Sequence, residues 1–518
     1  MKKAITWLLP GTLVLTALTG CTQSSPAGGP SATAPSAGQT AAPKPLTFTF
    51  LDYSHPSWPM NKEWPVWNYI KEKTGVTLNI QVPPGSAEDQ LDTALNLTVA
   101  SGNMPDLLYT HNKKTADKFG QQGALVNVMD YVNEMPNFKK WMEKYPTETQ
   151  NAMASDGKMY LLPNQGIGET NRMNWMYRED IFKKNGIAAP STWDELYSAL
   201  KKLKQVYPDT YPLSFRNGLS YLRNLAPGFG TSSDNSANDV YFDFDKKEWR
   251  YGPTEDNFKT MIAFLNKFYK EGLIPPDFMT IDTKQWQDLM STNRSFVTVD
   301  YISRVDFFNL PMRKQDPGFN LLYMPAPAGW SGGPQKNAFT QFVEAGFMVT
   351  STSKQIKDIM HFLDFFYSEQ GKNFVSWGIE GVTYKNDNGK KQLIGGYADV
   401  SDFRKKTGFS TDGTYIWLDY DVHLSLSSPE LQEAYKIAPK YDSVQQPRPA
   451  FTQQELEVIS TTGQTLQKTR DQNLAKFITG ERDLAEWSKY VDELKKIGSD
   501  KIVGVYKAGY DRTLQAKK

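Results

Sequence analysis

The chain has 518 residues, and its 58 Lys plus Arg nearly balance 57 Asp plus Glu, so it lacks the basic surplus that a nucleic-acid partner demands. It is too long for one hydrophobic core, and two or three domains are expected. Cys21 is the only cysteine, which excludes an intramolecular disulfide and leaves stability to packing.

In chain order, Lys2 and Lys3 precede an apolar stretch, Ala4 to Leu18, that is too short to span a bilayer and reads as the hydrophobic region of an export signal. The stretch ends in Leu18-Thr19-Gly20-Cys21, a run similar to a bacterial lipobox. Residues 1–20 are therefore expected to be a lipoprotein signal peptide, cut before Cys21. Lipid (palmitate) on that cysteine would hold the chain at the extracytoplasmic face of the cell membrane. An ordinary signal peptide with a chance cysteine is the alternative. Residues 22–45 are almost all Thr, Ser, Pro, Ala, Gly and Gln. Such a segment cannot bury enough surface to offset its ordering entropy, so 21–45 reads as lipidated cysteine plus tether, with a reach on the order of 25–30 Å. No second apolar run of membrane-spanning length follows.

Leu46 to Leu51 alternates apolar and polar and predicts a strand. The loop Asp52-Tyr53-Ser54-His55-Pro56-Ser57-Trp58-Pro59 comes next. Trp64, Trp67 and Ile70 recur at helical spacing up to Gly75, Val76 to Val82 predicts a second strand, and Leu91, Ala94, Leu95 and Val99 mark a helix over about 87–100. A short buried strand begins at Pro105 to Tyr109, so the opening is β-α-β-α-β and implies a mainly parallel sheet covered by helices. Further on, Thr192 and Glu195 form a capping box ahead of Trp193, Leu196, Leu200 and Leu203. Phe258, Ile262, Leu265 and Tyr269 mark another helix, Phe296 to Val299 a strand that returns to a sheet, and Ile356, Ile359, Met360, Leu363 and Phe366 a further helix. Leu484, Trp487, Val491 and Leu494 mark one near the C-terminus. Part of the aromatic content (13 Trp, 26 Tyr, 28 Phe) must be core. The part in loops suits sugar rings, whose flat apolar faces stack on indole or phenol.

The runs Val99-Ala100-Ser101-Gly102-Asn103-Met104-Pro105-Asp106, Asp156-Gly157-Lys158-Met159-Tyr160-Leu161-Leu162-Pro163 and Tyr177-Arg178-Glu179-Asp180 carry a resemblance. So do Thr192-Trp193-Asp194-Glu195-Leu196, Tyr269-Lys270-Glu271-Gly272-Leu273-Ile274 and Gly381-Val382-Thr383-Tyr384. Together, and in this order, they resemble the extracellular solute-binding proteins of ABC importers, in particular the large lipoproteins that include the alginate-oligosaccharide-binding proteins. The resemblance implies an α/β, two-lobed periplasmic-binding-protein-like fold with a ligand cleft between lobes. It implies an oligosaccharide ligand, a permease partner, no catalysis and no cofactor. The lobes are expected as 46–170 plus 296–346 and 171–295 plus 347–518, in a monomer. By the same resemblance, sugar-stacking positions carry over to Tyr301 of Asp300-Tyr301 and to Trp417 of Trp417-Leu418-Asp419-Tyr420-Asp421, with Asp419 beside it. Those relatives carry an Asp/Asn/Gly-rich calcium loop where this chain has Tyr207-Pro208-Asp209-Thr210-Tyr211-Pro212. One carboxylate and two prolines cannot supply the six or more oxygens calcium requires, so no metal is expected there.

Other candidates come from position. Trp58 lies in a proline-flanked loop after the first strand, where ligands approach a parallel sheet. Trp175 and Tyr177 put aromatics on one face of an expected crossing strand, with core packing the alternative. Arg216 and Asn217, in a loop, could bond hydroxyls or a uronate carboxylate, or simply be solvated. Glu344, ahead of another crossing strand, could accept from sugar hydroxyls. Trp64, Trp67 and Trp377 read as core. Ser351-Thr352-Ser353-Lys354 and Lys406-Thr407-Gly408 match fragments of a penicillin-binding signature, but Ser-Asp-Asn is missing between them, and 350–353 reads better as a helix cap. His55, His111, His361 and His423 show no metal-ligand spacing. The competing functional readings are a secreted glycoside hydrolase and a binding protein for peptides or another solute. Balanced charge leaves neutral and acidic sugars both open.

Overall fold

The computed structural model describes residues 45–515 except 56, 84–87, 232–238, 342–343, 412–413 and 415. Cys21, the signal peptide and all but the end of the tether lie outside the described residues. Among the described residues no helix is long and apolar enough to cross a membrane.

The β-α-β-α-β opening forms as its periodicity dictates. Strand Leu46–Leu51 pairs in parallel with Val76–Gln81 on one side and with Leu107–Thr110 on the other. Helix Pro65–Thr74 connects the first pair, and Gly75, at φ 74°, ends it in the left-handed conformation that glycine adopts without strain. Trp64 precedes that helix as its N-cap and is buried, its Nε1 donating to the Lys405 carbonyl at 2.8 Å. The fourth strand of this sheet is Gly346–Val349, antiparallel to Leu107–Thr110.

A second sheet has Met173–Arg178 at its centre, flanked by Val297–Tyr301 and Leu321–Met324, all antiparallel. Here the pairing departs from expectation. The strand at 297–301 joins the 173–178 strand of the second lobe instead of returning to the first sheet. The return is made by 346–349. The cause is register: Met173 through Tyr177 pair residue by residue with Tyr301 through Val297 and bury both strands. Two cores follow. One gathers buried side chains from 48–162 and 345–422, the other from 173–326 and 459–506, with a satellite that adds 431–438. The chain therefore passes between lobes at 163–172, 327–344 and 427–430.

The helix signals of the sequence hold, with two differences at helix starts. Thr192 caps helix Trp193–Val206 by accepting from Glu195 N, but the Glu195 carboxylate reaches one residue further back, to the Ser191 backbone and hydroxyl at 2.7 Å each. Trp193, Leu196, Leu200 and Leu203 are fully buried. Residues 350–353 do not cap the following helix Ile356–Phe366. Thr350 and Ser353 instead donate to the Pro105 carbonyl and to Asp106, pinning the returning strand beside the third one.

The crossing segments are in backbone contact. A Cβ on Gly166 would strike the Leu418 carbonyl, and one on Gly168 would strike that of Gln341. Gln165 N donates to Ile416 O at 2.9 Å and Leu418 N to Gln165 O at 2.8 Å. Buried Arg172 pairs with Asp442 and Glu169, and Gln341 also donates to Asp442.

Candidate functional site

A cavity of about 310 Å³ lies between the lobes, at the carboxyl ends of the 46–51 and 107–110 strands, which supply Tyr53, His55, Trp58 and His111. Ligands of open α/β sheets bind at such strand ends. The facing wall comes from the segment after strand Val297–Tyr301, with Tyr301, Arg304 and Phe307. Helix Val400–Thr407 contributes Ser401 and Arg404, and crossing residues Thr170 and Asn171 contribute polar groups.

The loop after the first strand is shaped by its own side chains. Ser57 N donates to His55 Nδ1 at 3.0 Å and Met60 N to Ser54 Oγ at 3.0 Å. His55 then lies flat on Trp58, with ring centres 3.6 Å apart and planes 4° from parallel. The Arg404 guanidinium sits 4.4 Å from the indole centre. A parallel ring at contact distance fills one indole face, so the guanidinium takes the other. Trp58 lines the cavity, but it offers an edge and not an open stacking face. Its Nε1 is buried and has no acceptor among the described residues.

Tyr301 also lines the cavity, half-buried, with the guanidiniums of Arg216 and Arg304 5.5 and 5.7 Å from its ring centre. Behind it, fully buried Asp300 takes five hydrogen bonds: from Arg216, Arg304, the Tyr221 hydroxyl and the Tyr301 amide. Burial pushes the Asp300 pKa up, but Arg304 and Arg216 outweigh it and hold it below the usual carboxylate range. Arg216, which the sequence offered as a ligand contact, is thus turned inward and braces the wall. Phe307 is the open aromatic, 37% exposed on the same wall.

Other sequence candidates lie elsewhere. Trp417 is buried in the first lobe's core, beside Tyr145 and under the ammoniums of Lys144 and Lys372. Asp419 accepts from Trp377 Nε1 at 2.9 Å and Lys391 Nζ at 3.1 Å. Burial raises the Asp419 pKa, and these two donors lower it further than that. Trp175 is fully buried edge-on to Trp193, and Tyr177 packs on Phe182. Their strand is the centre of its sheet, so neither side chain reaches the cavity. Glu344 pairs with Arg448 and lines a separate cavity of about 360 Å³ with Trp249, Phe339 and Phe451. At Tyr207 to Pro212, Lys204 Nζ donates to the Thr210 carbonyl at 2.8 Å.

Among the cavity-lining residues that the sequence did not single out are Arg304, Phe307 and Arg404. Asp300 and Arg304, four apart, are a readable ion pair, but nothing local says that it faces a cavity. Arg404 stands two residues before the Lys406-Thr407-Gly408 run, and nothing local says that it faces a cavity. His423, buried between helix Val400–Thr407 and the cavity, lies 3.5 Å from an Arg404 nitrogen. Burial, helped by Arg404, drives its pKa well below 6.5. The folded chain keeps His423 neutral where the unfolded chain takes up a proton, so stability falls as pH drops below 6.5, by up to roughly 1.4 kcal/mol per pH unit from this group. Denaturant unfolding from about pH 7.5 to about pH 5 should show that slope, and His423→Gln should flatten it. An unchanged slope in the variant would assign it to other groups.

Residues 60–373 match the family model described as bacterial extracellular solute-binding protein. The polygalacturonan/rhamnogalacturonan-binding protein YtcQ of Bacillus subtilis (strain 168) is 24% identical over 464 residues, covering 85% of this chain and 87% of YtcQ. Lipoprotein LipO of the same organism is 24% identical over 353 residues, 64% of this chain and 66% of LipO. The crystal structure of alginate-binding protein AlgQ2 without calcium ion superposes with a TM-score of 0.77 at 24% identity, covering 90% of this chain and 98% of AlgQ2. With two lobes, a cavity between them and a match across most of both, the chain belongs to the bacterial extracellular solute-binding proteins.

Proposed function

We propose that this chain captures an oligosaccharide in the cavity between its lobes and delivers it to an ABC import permease, as a monomer held to the membrane by lipid on Cys21. One observation carries the reading. The cavity is walled by both lobes and mixes aromatics (Tyr53, Trp58, Tyr301, Phe307, Tyr435) with short polar groups (Thr170, Asn171, Ser303, Ser401, Ser427). A sugar needs both, apolar surface for its ring faces and donors and acceptors for its hydroxyls. A ligand that touches both walls binds the closed arrangement better than the open one and shifts the population toward it. The names of YtcQ and AlgQ2 support a glycan, and that of LipO supports lipidation. A tether would raise the receptor's effective concentration at its permease without any strong contact.

A glycosidase would place two carboxyl groups across the scissile bond. The carboxylates on this cavity are engaged otherwise. Asp306 accepts from Ser428, and Asp399 caps helix Val400–Thr407. Calorimetry of the full chain against plant and bacterial oligosaccharides, with product analysis, is expected to give saturable binding with the sugar recovered intact. Multiple turnover would sink the receptor reading, and binding of peptides alone would remove the sugar.

A further inference from the structure

The second lobe's wall of the cavity is built on one carboxylate and two guanidiniums. Asp300 binds Arg216 through Nε at 2.6 Å and Nη2 at 3.2 Å, and Arg304 through Nε at 2.9 Å. The three groups sum to one net positive charge. Arg216 faces inward, and its other Nη donates to Thr283 Oγ1 at 3.1 Å. Arg304 is different. Only its Nε is bonded, and among the described residues its two Nη groups have no acceptor. Its side chain, 16% exposed, lines the cavity beside Phe307, whose ring centre is 4.8 Å from the guanidinium carbon.

Opposing charge within the cavity is low. Asp306 is buried and bonded through both oxygens to Ser428, and Asp399 is turned to the Asp402 amide. From the first lobe, Arg404 adds a second guanidinium to the lining. A neutral glycan gains little from such a wall. A carboxylate of matching planar geometry gains a two-pronged, charge-assisted contact.

We propose that the cavity selects an acidic oligosaccharide, with a hexuronate carboxylate on the Nη groups of Arg304 and the sugar ring against Phe307. This rests on the oligosaccharide reading above. Because Nε of Arg304 is fixed by Asp300 and its plane by the aromatics around it, the fork is held in place before the ligand arrives, which lowers the ordering cost of binding.

The test is calorimetry of the full chain against trisaccharides of galacturonate, glucuronate and mannuronate, each as the free acid and as its methyl ester. The esters keep the ring and remove the charge. At least one free acid is expected to bind roughly tenfold or more tightly than its ester, with the difference shrinking as salt is raised. Arg304→Gln is expected to erase that preference. Equal affinities for acid and ester, binding of esters and neutral trisaccharides alone, or an acid preference that survives in Arg304→Gln would overturn the proposal and leave oligosaccharide capture standing. No binding of any glycan, charged or neutral, would overturn both. The acid–ester comparison on the unaltered chain decides the matter even if the variant fails to fold.

Discussion

Replacing Asp300 by alanine is expected to cost about 3–5 kcal/mol of stability, the range for removing one partner of a buried ion pair. Asp300 is fully buried and is the shared acceptor of Arg216 and Arg304. Without it, two guanidiniums 12% and 16% exposed face each other with no counter-charge. The Tyr221 hydroxyl, buried and bonded to the same carboxylate at 2.9 Å, loses its acceptor too. The loss should extend to the ligand, because Arg304 and Tyr301 take their positions from this carboxylate. Asp300→Asn separates the contributions: it keeps the volume and part of the hydrogen bonding but removes the charge, so it should fall between wild type and alanine. Equilibrium denaturant unfolding measures both. A loss under about 1 kcal/mol for the alanine variant would mean that the arginines relax into water and that the wall is not braced as described.

Trp417→Ala should cost a similar amount, about 3–5 kcal/mol, as a large-to-small change in a core. The indole is 4% exposed. It packs edge-on to Tyr145 at 5.8 Å, and the ammoniums of Lys144 and Lys372 stand 4.6 and 4.9 Å from its centre. Its neighbours Ile416 and Leu418 carry the backbone bonds that hold crossing residue Gln165. Trp417→Phe should recover most of the loss, since it keeps an aromatic face and removes an indole N–H that has no acceptor among the described residues. Sugar affinity, measured well below the melting temperature, should change little. The opposite pattern, normal stability with binding lost, would return Trp417 to the ligand, the role its resemblance to the alginate-binding proteins implied.

The two aromatic positions suggested by that resemblance lie in different settings, Tyr301 on the cavity and Trp417 in a core, and the reason lies in what surrounds each. Tyr301 ends an edge strand, so its side chain has sheet on one side and the cavity on the other. Trp417 sits in an irregular segment rich in Thr and Gly, which reads as an exposed loop. The structure instead lays that segment against helices Pro136–Lys144 and Glu369–Trp377, both more than thirty residues earlier in the chain. Trp58 shows the same limit from the other side. Its loop lines the cavity, but Arg404 and His55 determine that its faces are covered.

Helices and the parallel opening were legible because they depend on local terms: apolar period, caps and glycine stops. Thus Trp193, Leu196, Leu200 and Leu203 could be assigned to a core from spacing alone. Which strand completes which sheet, and which aromatic or arginine meets the ligand, depends on contacts between distant segments. The pairing of 297–301 with 173–178, Asp300 shared between Arg216 and Arg304, and the burial of Trp417 all have that origin. By itself, then, the sequence determined the lobes' building blocks and the class of protein. The tertiary structure alone decided the wall of the site, because burial and charge pairing are properties of neighbours that the chain brings together only on folding.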